Sequence, residues 1–244
     1  MKKILFASIV LLGLQSCIIS EEYQVTDRDS YSRQITYDLR DMKPILPEDL
    51  TRDFTSELEE LSHHLKKGVK ISELEGHLQK KTFNPEFISY FKENQSLVNK
   101  YKDIVITFDV DQLIYHIDYG VHSDVKNKEL LDFLNGIIYL TELPLGNENM
   151  VKEVVTDSKQ ITVHFDGKAI EKFSNQLYQS FNEMTTPQGF QSLINYQLTI
   201  KTPKKIKTSS INGNYFSLDG QSVTYNFKLS EIISGKVSEV KLAY

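Results

Sequence analysis

The stretch 103–121, DIVITFDVDQLIYHIDYGV, decides how the chain is read. Ile104, Ile106 and Phe108 alternate with polar or smaller residues. After a short DVDQ segment (109–112), Leu113, Tyr115, Ile117, Tyr119 and Val121 do the same. A period of two places alternate side chains on opposite faces of a strand, so both arms present one apolar face and the whole is a β-hairpin. Toward the C-terminus, NYFSLDGQSVTYNFKL (214–229) has the same design. Asp219-Gly220 suits a type I′ turn, which sets Phe216 opposite Val223. QITVHF (160–165), the stretch around Ile194, Tyr196, Leu198 and Ile200, and VSEVKLAY at the end add further strands.

Between the strands the period changes to that of a helix. GKAIEKFSNQLYQSFNEM (167–184) carries Ile170, Phe173, Leu177, Phe181 and Met184 on one stripe. NKELLDFLNGIIYL (127–140) turns Leu130, Leu134, Ile137 and Ile138 inward in the same way. Upstream, Leu50, Phe54, Leu58, Leu61 and Leu65 recur at spacings of three and four, with Gly68 placed for a left-handed cap. SELE (72–75) reads as a capping box, and Asn84-Pro85 opens a helix with Phe87, Ile88, Phe91 and Val98 inward. The expectation is α+β: an antiparallel sheet with amphipathic helices packed on one face, plus an N-terminal helical block at about 48–101. The segments are drawn at 1–16, 17–32, 33–102 and 103–244.

The first segment looks like an address. Lys2 and Lys3 precede an apolar run, Ile4 to Leu12, too short to span a bilayer as a helix. Leu14-Gln15-Ser16-Cys17 follows and resembles the lipobox of bacterial lipoproteins, with Gln15 a mild departure. The resemblance implies that the Cys17 thiol receives diacylglycerol, that type II signal peptidase cuts between Ser16 and Cys17, and that the new amino terminus is acylated. Acylation by two or three chains, palmitate among them, anchors stably where one chain is marginal. Cys17 is the only cysteine, so no disulfide framework is available and stability rests on a packed core.

Residues after Cys17 admit two readings: a polar tether to about residue 30, or a short strand at Glu22–Thr26 turning at DRDS (27–30) into the alternating Ile35, Tyr37 and Leu39. In Gram-negative sorting, Ile18 in place of Asp favours the outer membrane. Ser20-Glu21-Glu22-Tyr23 resembles an acidic surface-export tag, so display at the surface competes with a periplasm-facing anchor.

Net charge is −5, and two units more negative without Lys2 and Lys3. There is no basic footprint for nucleic acid. Thirteen Tyr and thirteen Phe, with no Trp, suit aromatic strands rather than a Trp-based sugar platform. The segment from Tyr196 to Leu229, YQLTIKTPKKI followed by SLDGQSVTYNFKL, resembles the C-terminal part of LppM-type bacterial lipoproteins. That resemblance implies a lipid-anchored extracytoplasmic domain without catalysis that holds an amphipathic ligand.

Chemistry-bearing residues are few. In the stretch HIDYGVHSD (116–124), read as a strand, His116, Asp118, His122 and Asp124 share one face, opposite Tyr115, Ile117, Tyr119 and Val121, and His164 and Asp166 repeat the His-x-Asp spacing. Were those strands paired in register, four metal-competent side chains would converge. The plainer reading makes them the solvated face of a half-buried strand, with Asp166 capping the helix after it. His63 and His64 are adjacent on a helix and diverge. DRDS and DVDQ lack the Gly and distal Glu of an EF-hand. No nucleophile elbow, phosphate loop or dinucleotide fingerprint is present. The favoured expectation is a non-catalytic envelope lipoprotein that binds a protein partner or lipid-like ligand and needs no cofactor. The competing one is an envelope hydrolase or metal-binding protein built on the His-x-Asp strands.

Overall fold

The hairpin expected at 103–121 is formed by β4 (Val105–Asp109) and β5 (Ile114–His122), paired antiparallel with Phe108 opposite Tyr115. Ile104, Ile106, Phe108, Tyr115, Ile117 and Tyr119 are all buried, as the alternation requires. The structure is a computed structural model that describes residues 17–27, 30–41, 63–78, 85–109, 112, 114–122, 133, 150–180, 189, 191–192, 194–213 and 215–244. The leader at 1–16, most of the helix expected over Leu50–Leu65 and the 127–140 helix apart from Phe133 lie outside the described residues.

Around that hairpin stands an eight-stranded sheet in the order β10-β11-β8-β1-β2-β5-β4-β3. The remaining members are β1 (Ile18–Asp27), β2 (Ser30–Asp38), β3 (Val69–Lys70), β8 (Asn195–Lys201), β10 (Tyr215–Phe216) and β11 (Ser222–Lys228). A second sheet follows the order β6-β7-β12-β9, from β6 (Val151–Thr156), β7 (Gln160–Phe165), β12 (Glu239–Ala243) and β9 (Thr208–Ser209). The expected single antiparallel sheet is therefore two sheets. One pair in the larger is parallel: β1 runs alongside β8 with Ile19 beside Tyr196 and Gln24 beside Lys201. Parallel pairing needs a long crossover, and here about two thirds of the chain separates the partners. The sheet thus passes through all three segments drawn at 17–32, 33–102 and 103–244.

The large sheet has one buried face and one polar face. Ile19, Tyr23, Val25, Ile35, Tyr37, Leu198, Ile200, Val223 and Tyr225 lie on the buried side. Each such side chain contributes about 1.5–3 kcal/mol by leaving water. The small sheet packs through Phe165, whose ring meets Tyr196 edge-on at 5.6 Å and Phe227 at 6.0 Å. Both edges of the large sheet end in two-residue strands, which leaves little free edge for another chain to extend.

A separate N-terminal helical block is not supported. The described helices are short: α1 (Ile71–Leu78), α2 (Pro85–Glu93) and α3 (Gln95–Lys100). Their Leu74, Phe91 and Val98 join the core shared with the sheets, and Phe133 packs on Phe91 and Tyr101. β3 between Gly68 and α1 extends the large sheet itself. The capping box also shifts. The helix starts at Ile71, Glu73 reaches back to the Lys70 amide at 3.3 Å, and Ser72 instead donates to the Lys102 carbonyl. The clearest expected helix is present as α4 (Gly167–Ser180), and a short α5 (Leu229–Ile233) packs against it. The backbones come so close that a Cβ on Gly167 would sit 3.1 Å from the Ile232 carbonyl.

At the 214–229 hairpin the register is as expected, Phe216 opposite Val223. The turn is not centred on Asp219-Gly220. Its closing bond runs from the Gly220 amide to the Ser217 carbonyl, so Leu218 and Asp219 are its central pair. Gly220, with φ +71°, supplies the left-handed residue after it.

Candidate functional site

Three places carry ionisable or reactive side chains: the start of β1, the His-x-Asp strands, and the middle of the buried face. Cys17 stands directly before β1, and its carbonyl accepts the Asn195 amide at 2.9 Å. Ile19 is already fully buried, so no tether separates Cys17 from the fold; the alternative of an early strand describes this stretch, and that strand begins at Ile18. Cys17 is itself buried. Burial first, then the negative charges of Asp38 and Asp41, push its thiol up to about 12. A folded-state thiol of this kind is a poor nucleophile. The four residues read as an export tag, Ser20 to Tyr23, lie inside β1. Strand alternation buries Glu21 and Tyr23 and leaves only Ser20 and Glu22 toward the polar face, so the folded protein does not display them as one exposed address.

The His-x-Asp residues do not converge. β5 pairs with β2 and β4 in the large sheet, whereas β7 pairs with β6 and β12 in the small one. His116 and His164 therefore belong to different sheets. His116 Nδ1 is 2.8 Å from the Thr36 hydroxyl, and desolvation lowers its pKa against the pull of Asp118 and Glu22. Asp118 takes a hydrogen bond from Gln34 and another from the Gly120 amide. His122 ends β5. His164 Nδ1 lies 3.1 Å from Glu239. Asp166 accepts the Lys168 and Ala169 amides and caps α4. Asp124 lies outside the described residues. Among the described residues no group of three His, Cys, Asp or Glu side chains is placed to hold a metal ion.

The middle of the buried face holds what the sequence reading missed. Glu21 on β1 and Arg33 on β2 are both buried and ion-paired, Arg33 Nε donating to Glu21 Oε1 at 2.6 Å. Register explains the contact: Tyr23 is directly opposite Arg33, and Glu21 is its diagonal neighbour two residues along the same face. Tyr23 donates its hydroxyl to the same carboxylate oxygen, and Tyr196 on β8 donates to the other. Arg33 also stacks over the Tyr119 ring, 4.8 Å from its centroid. Burial works against the guanidinium, but the Glu21 carboxylate and the surrounding tyrosines outweigh it and hold its pKa well above the ordinary value. Burial likewise drives Tyr23 and Tyr196 well above theirs. The legible signal was one charged residue on the apolar face of each of two alternating strands joined by DRDS. The Glu21 carboxylate is thus held inside the core by Arg33, Tyr23 and Tyr196 together. A surface cleft of about 450 Å³ lies elsewhere, between Lys152, Asp166, Lys168 and Ile232. Its helix terminus is already filled by Asp166.

No family model and no curated protein matches the chain. Among solved structures, the folded domain of LppM from Mycobacterium tuberculosis is similar at 11% identity, covering 93% of this chain and 89% of that one with a TM-score of 0.35. Resemblance at that level is too weak to define a shared fold or a shared function. Among the described residues no helix is long and apolar enough to cross a membrane.

Proposed function

We propose that this is a lipid-anchored, non-catalytic protein of the cell envelope, tethered through acyl chains on Cys17 and presenting its domain to a protein partner or an amphipathic ligand. The observation that carries the reading is the position of Cys17. It immediately precedes β1, and its carbonyl accepts the Asn195 amide. A cut between Ser16 and Cys17 would remove no strand or helix of the described fold. The dispersal of the titratable groups supports a binding rather than a catalytic role. Glu21 and Arg33 neutralise each other inside the core, and His116 and His164 stand on separate sheets with partners of their own. Ile18 after Cys17 favours the outer membrane over retention in the inner one.

The buried thiol sets an order of events on this reading. Cys17 is alkylated on the extended precursor, while β1 is still undocked, because the folded thiol is neutral and covered. The domain would then sit close against the lipid surface. The test is Cys17→Ser expressed in a bacterial host that processes lipoproteins. The variant should stay uncut, take up no radioactive fatty acid, and the parent should be both cut and labelled. Labelling of the variant, or cleavage of the parent at another position, would overturn the anchor.

A further inference from the structure

Four large apolar side chains are exposed among the described residues: Val155 at 45%, Tyr215 at 66%, Phe216 at 55% and Leu218 at 109%. Three of the four fall within residues 215–218. Single exposed apolar residues are ordinary, whereas a cluster at one protruding turn is not. Tyr215 and Phe216 alternate across β10 and should face opposite sides, yet both are exposed on this two-residue edge strand of the large sheet. Leu218 stands at its apex, one of the two central residues of the turn.

A basic segment is fastened beside this apex. The Ile206 amide donates to the Gly220 carbonyl at 2.8 Å, which holds Lys204, Lys205 and Lys207 against the turn. The Lys205 stem lies along Gly220, where a Cβ would meet its Cγ and Cε at 3.0 Å. All three lysines are exposed; Lys207 also reaches the Tyr244 carbonyl at 3.3 Å. The one carboxylate in the turn is Asp219, held by the Ser217 hydroxyl and the Gln221 amide. Lys201, nearest in β8, is engaged by Glu22. Positive charge thus outnumbers negative around the apex, in a chain whose net charge is −5.

We infer that the β10–β11 hairpin is a wedge that docks the domain onto an anionic lipid bilayer. Tyr215, Phe216 and Leu218 enter the boundary between headgroups and acyl chains, and Lys204, Lys205 and Lys207 stay at headgroup level, their stems along the apolar surface. Charge complementarity selects this occupant: an apolar partner surface would bury the wedge without using the lysines. The wedge is also separate from Cys17. Parallel pairing puts Ile18 beside Asn195 and Gln24 beside Lys201, while β11 runs from Ser222 beside Lys201 to Lys228 beside Asn195. The apex therefore leaves the far end of the sheet, roughly 20–25 Å from Cys17 at about 3.3 Å per residue. Docking by the wedge does not require Cys17 to carry lipid.

The absence of tryptophan makes a local probe available. Full-length Leu218→Trp and Val155→Trp are prepared, and their emission is followed as vesicles of phosphatidylglycerol and phosphatidylcholine are added. The Leu218→Trp emission should shift to the blue and be quenched by brominated acyl chains; Val155→Trp, on the small sheet, should do neither. Adding Lys204→Glu and Lys205→Glu should raise the lipid needed for half the shift by roughly tenfold or more, since each lysine near an anionic surface is worth about one charge contact. Pure phosphatidylcholine should give a weaker shift. No shift at position 218 with anionic vesicles would overturn the proposal. So would equal shifts at 155 and 218, which report adsorption of the whole chain, or a shift that follows protein concentration without vesicles, which reports a second copy at the apex. Tyr215→Trp gives the same reading should Leu218→Trp not fold.

Discussion

Glu21 and Arg33 form an ion pair on neighbouring strands in the middle of the apolar face, with both side chains buried. Desolvating two charges is costly, and the hydrogen bonds that Arg33, Tyr23 and Tyr196 donate to the carboxylate offset part of that cost. The arrangement specifies register. Glu21 meets Arg33 on one side and Tyr196 on the other, so a one-residue slip of β1 would send the carboxylate to the opposite face. Glu21→Gln keeps the shape but leaves a buried guanidinium without its counter-charge. It should cost about 3–5 kcal/mol in urea unfolding. Glu21→Leu with Arg33→Met should recover most of that. A single substitution costing under ~1 kcal/mol, or a double one as damaging as the single, would contradict this account.

The tyrosines make the fold alkali-sensitive. Burial raises Tyr23, Tyr115 and Tyr196 well above the ordinary phenol value, and Tyr37 and Tyr119 are raised as well. Unfolded tyrosines lose their proton near pH ~10 while folded ones keep it, so the folded state binds more protons above that pH. The stability these groups contribute is complete below about pH 10 and is lost as pH rises through their folded values. Each tyrosine that remains protonated in the fold steepens the decline by about 1.4 kcal/mol per pH unit. Unfolding midpoints measured from pH 8 to pH 11 should be flat and then fall steeply; a plateau through the whole range would rule the mechanism out.

Tyr115 separates the two effects. Its hydroxyl is buried and has no hydrogen-bond partner among the described residues, while its ring packs on Phe108 and Tyr37. Tyr115→Phe removes an unsatisfied polar atom and leaves the ring in place. It should stabilise the protein by about 1 kcal/mol at neutral pH and flatten the alkaline decline by one tyrosine's share. Loss of stability on this substitution would mean that the hydroxyl is satisfied in solution.

Alternation in period two was enough to locate β4, β5, β7, β8, β11 and β12, because each is buried on one face and polar on the other. It could not give their order. β1 enters the sheet between β2 and β8 through a parallel pairing with residues far away in sequence, and nothing local encodes that choice. Local polarity also misled at the start of β1. Glu21 and Glu22 side by side read as solvent-facing, yet strand geometry sends them to opposite faces and buries the first against Arg33. The His-x-Asp spacing was visible, but spacing within a strand says nothing about which sheet the strand joins. The apolar apex at 215–218 read as ordinary strand and turn, since exposure at a hairpin tip depends on how far the tip extends beyond the packed core.

Phe165 is the main aromatic link between the two sheets, meeting both Tyr196 and Phe227 edge-on. Phe165→Ala should cost about 3–5 kcal/mol. Phe165→Leu, which keeps most of the volume, should cost less. Amide exchange in β6, β7 and β12 should accelerate more than in β1 and β2, because the small sheet loses its anchor while the large sheet keeps its own core. Uniform acceleration across both sheets would show that they unfold as one unit with no weaker seam.

Two glycines in the left-handed region test whether backbone strain or space governs the strand ends. Gly68 has φ +86° and Gly120 has φ +66°, so alanine pays a similar backbone penalty at each, about 1 kcal/mol. Their surroundings differ. A Cβ on Gly68 would meet Val105 Cγ1 at 3.0 Å and Thr107 Oγ1 at 3.2 Å, both on the edge-adjacent β4, whereas a Cβ on Gly120 would meet nothing within 4 Å. Gly68→Ala must therefore displace those two side chains as well as strain the chain, and should cost roughly 1–3 kcal/mol more than Gly120→Ala. Equal losses in thermal unfolding would show that the β3–β4 edge yields freely and that Gly68 is required only for its dihedral angles.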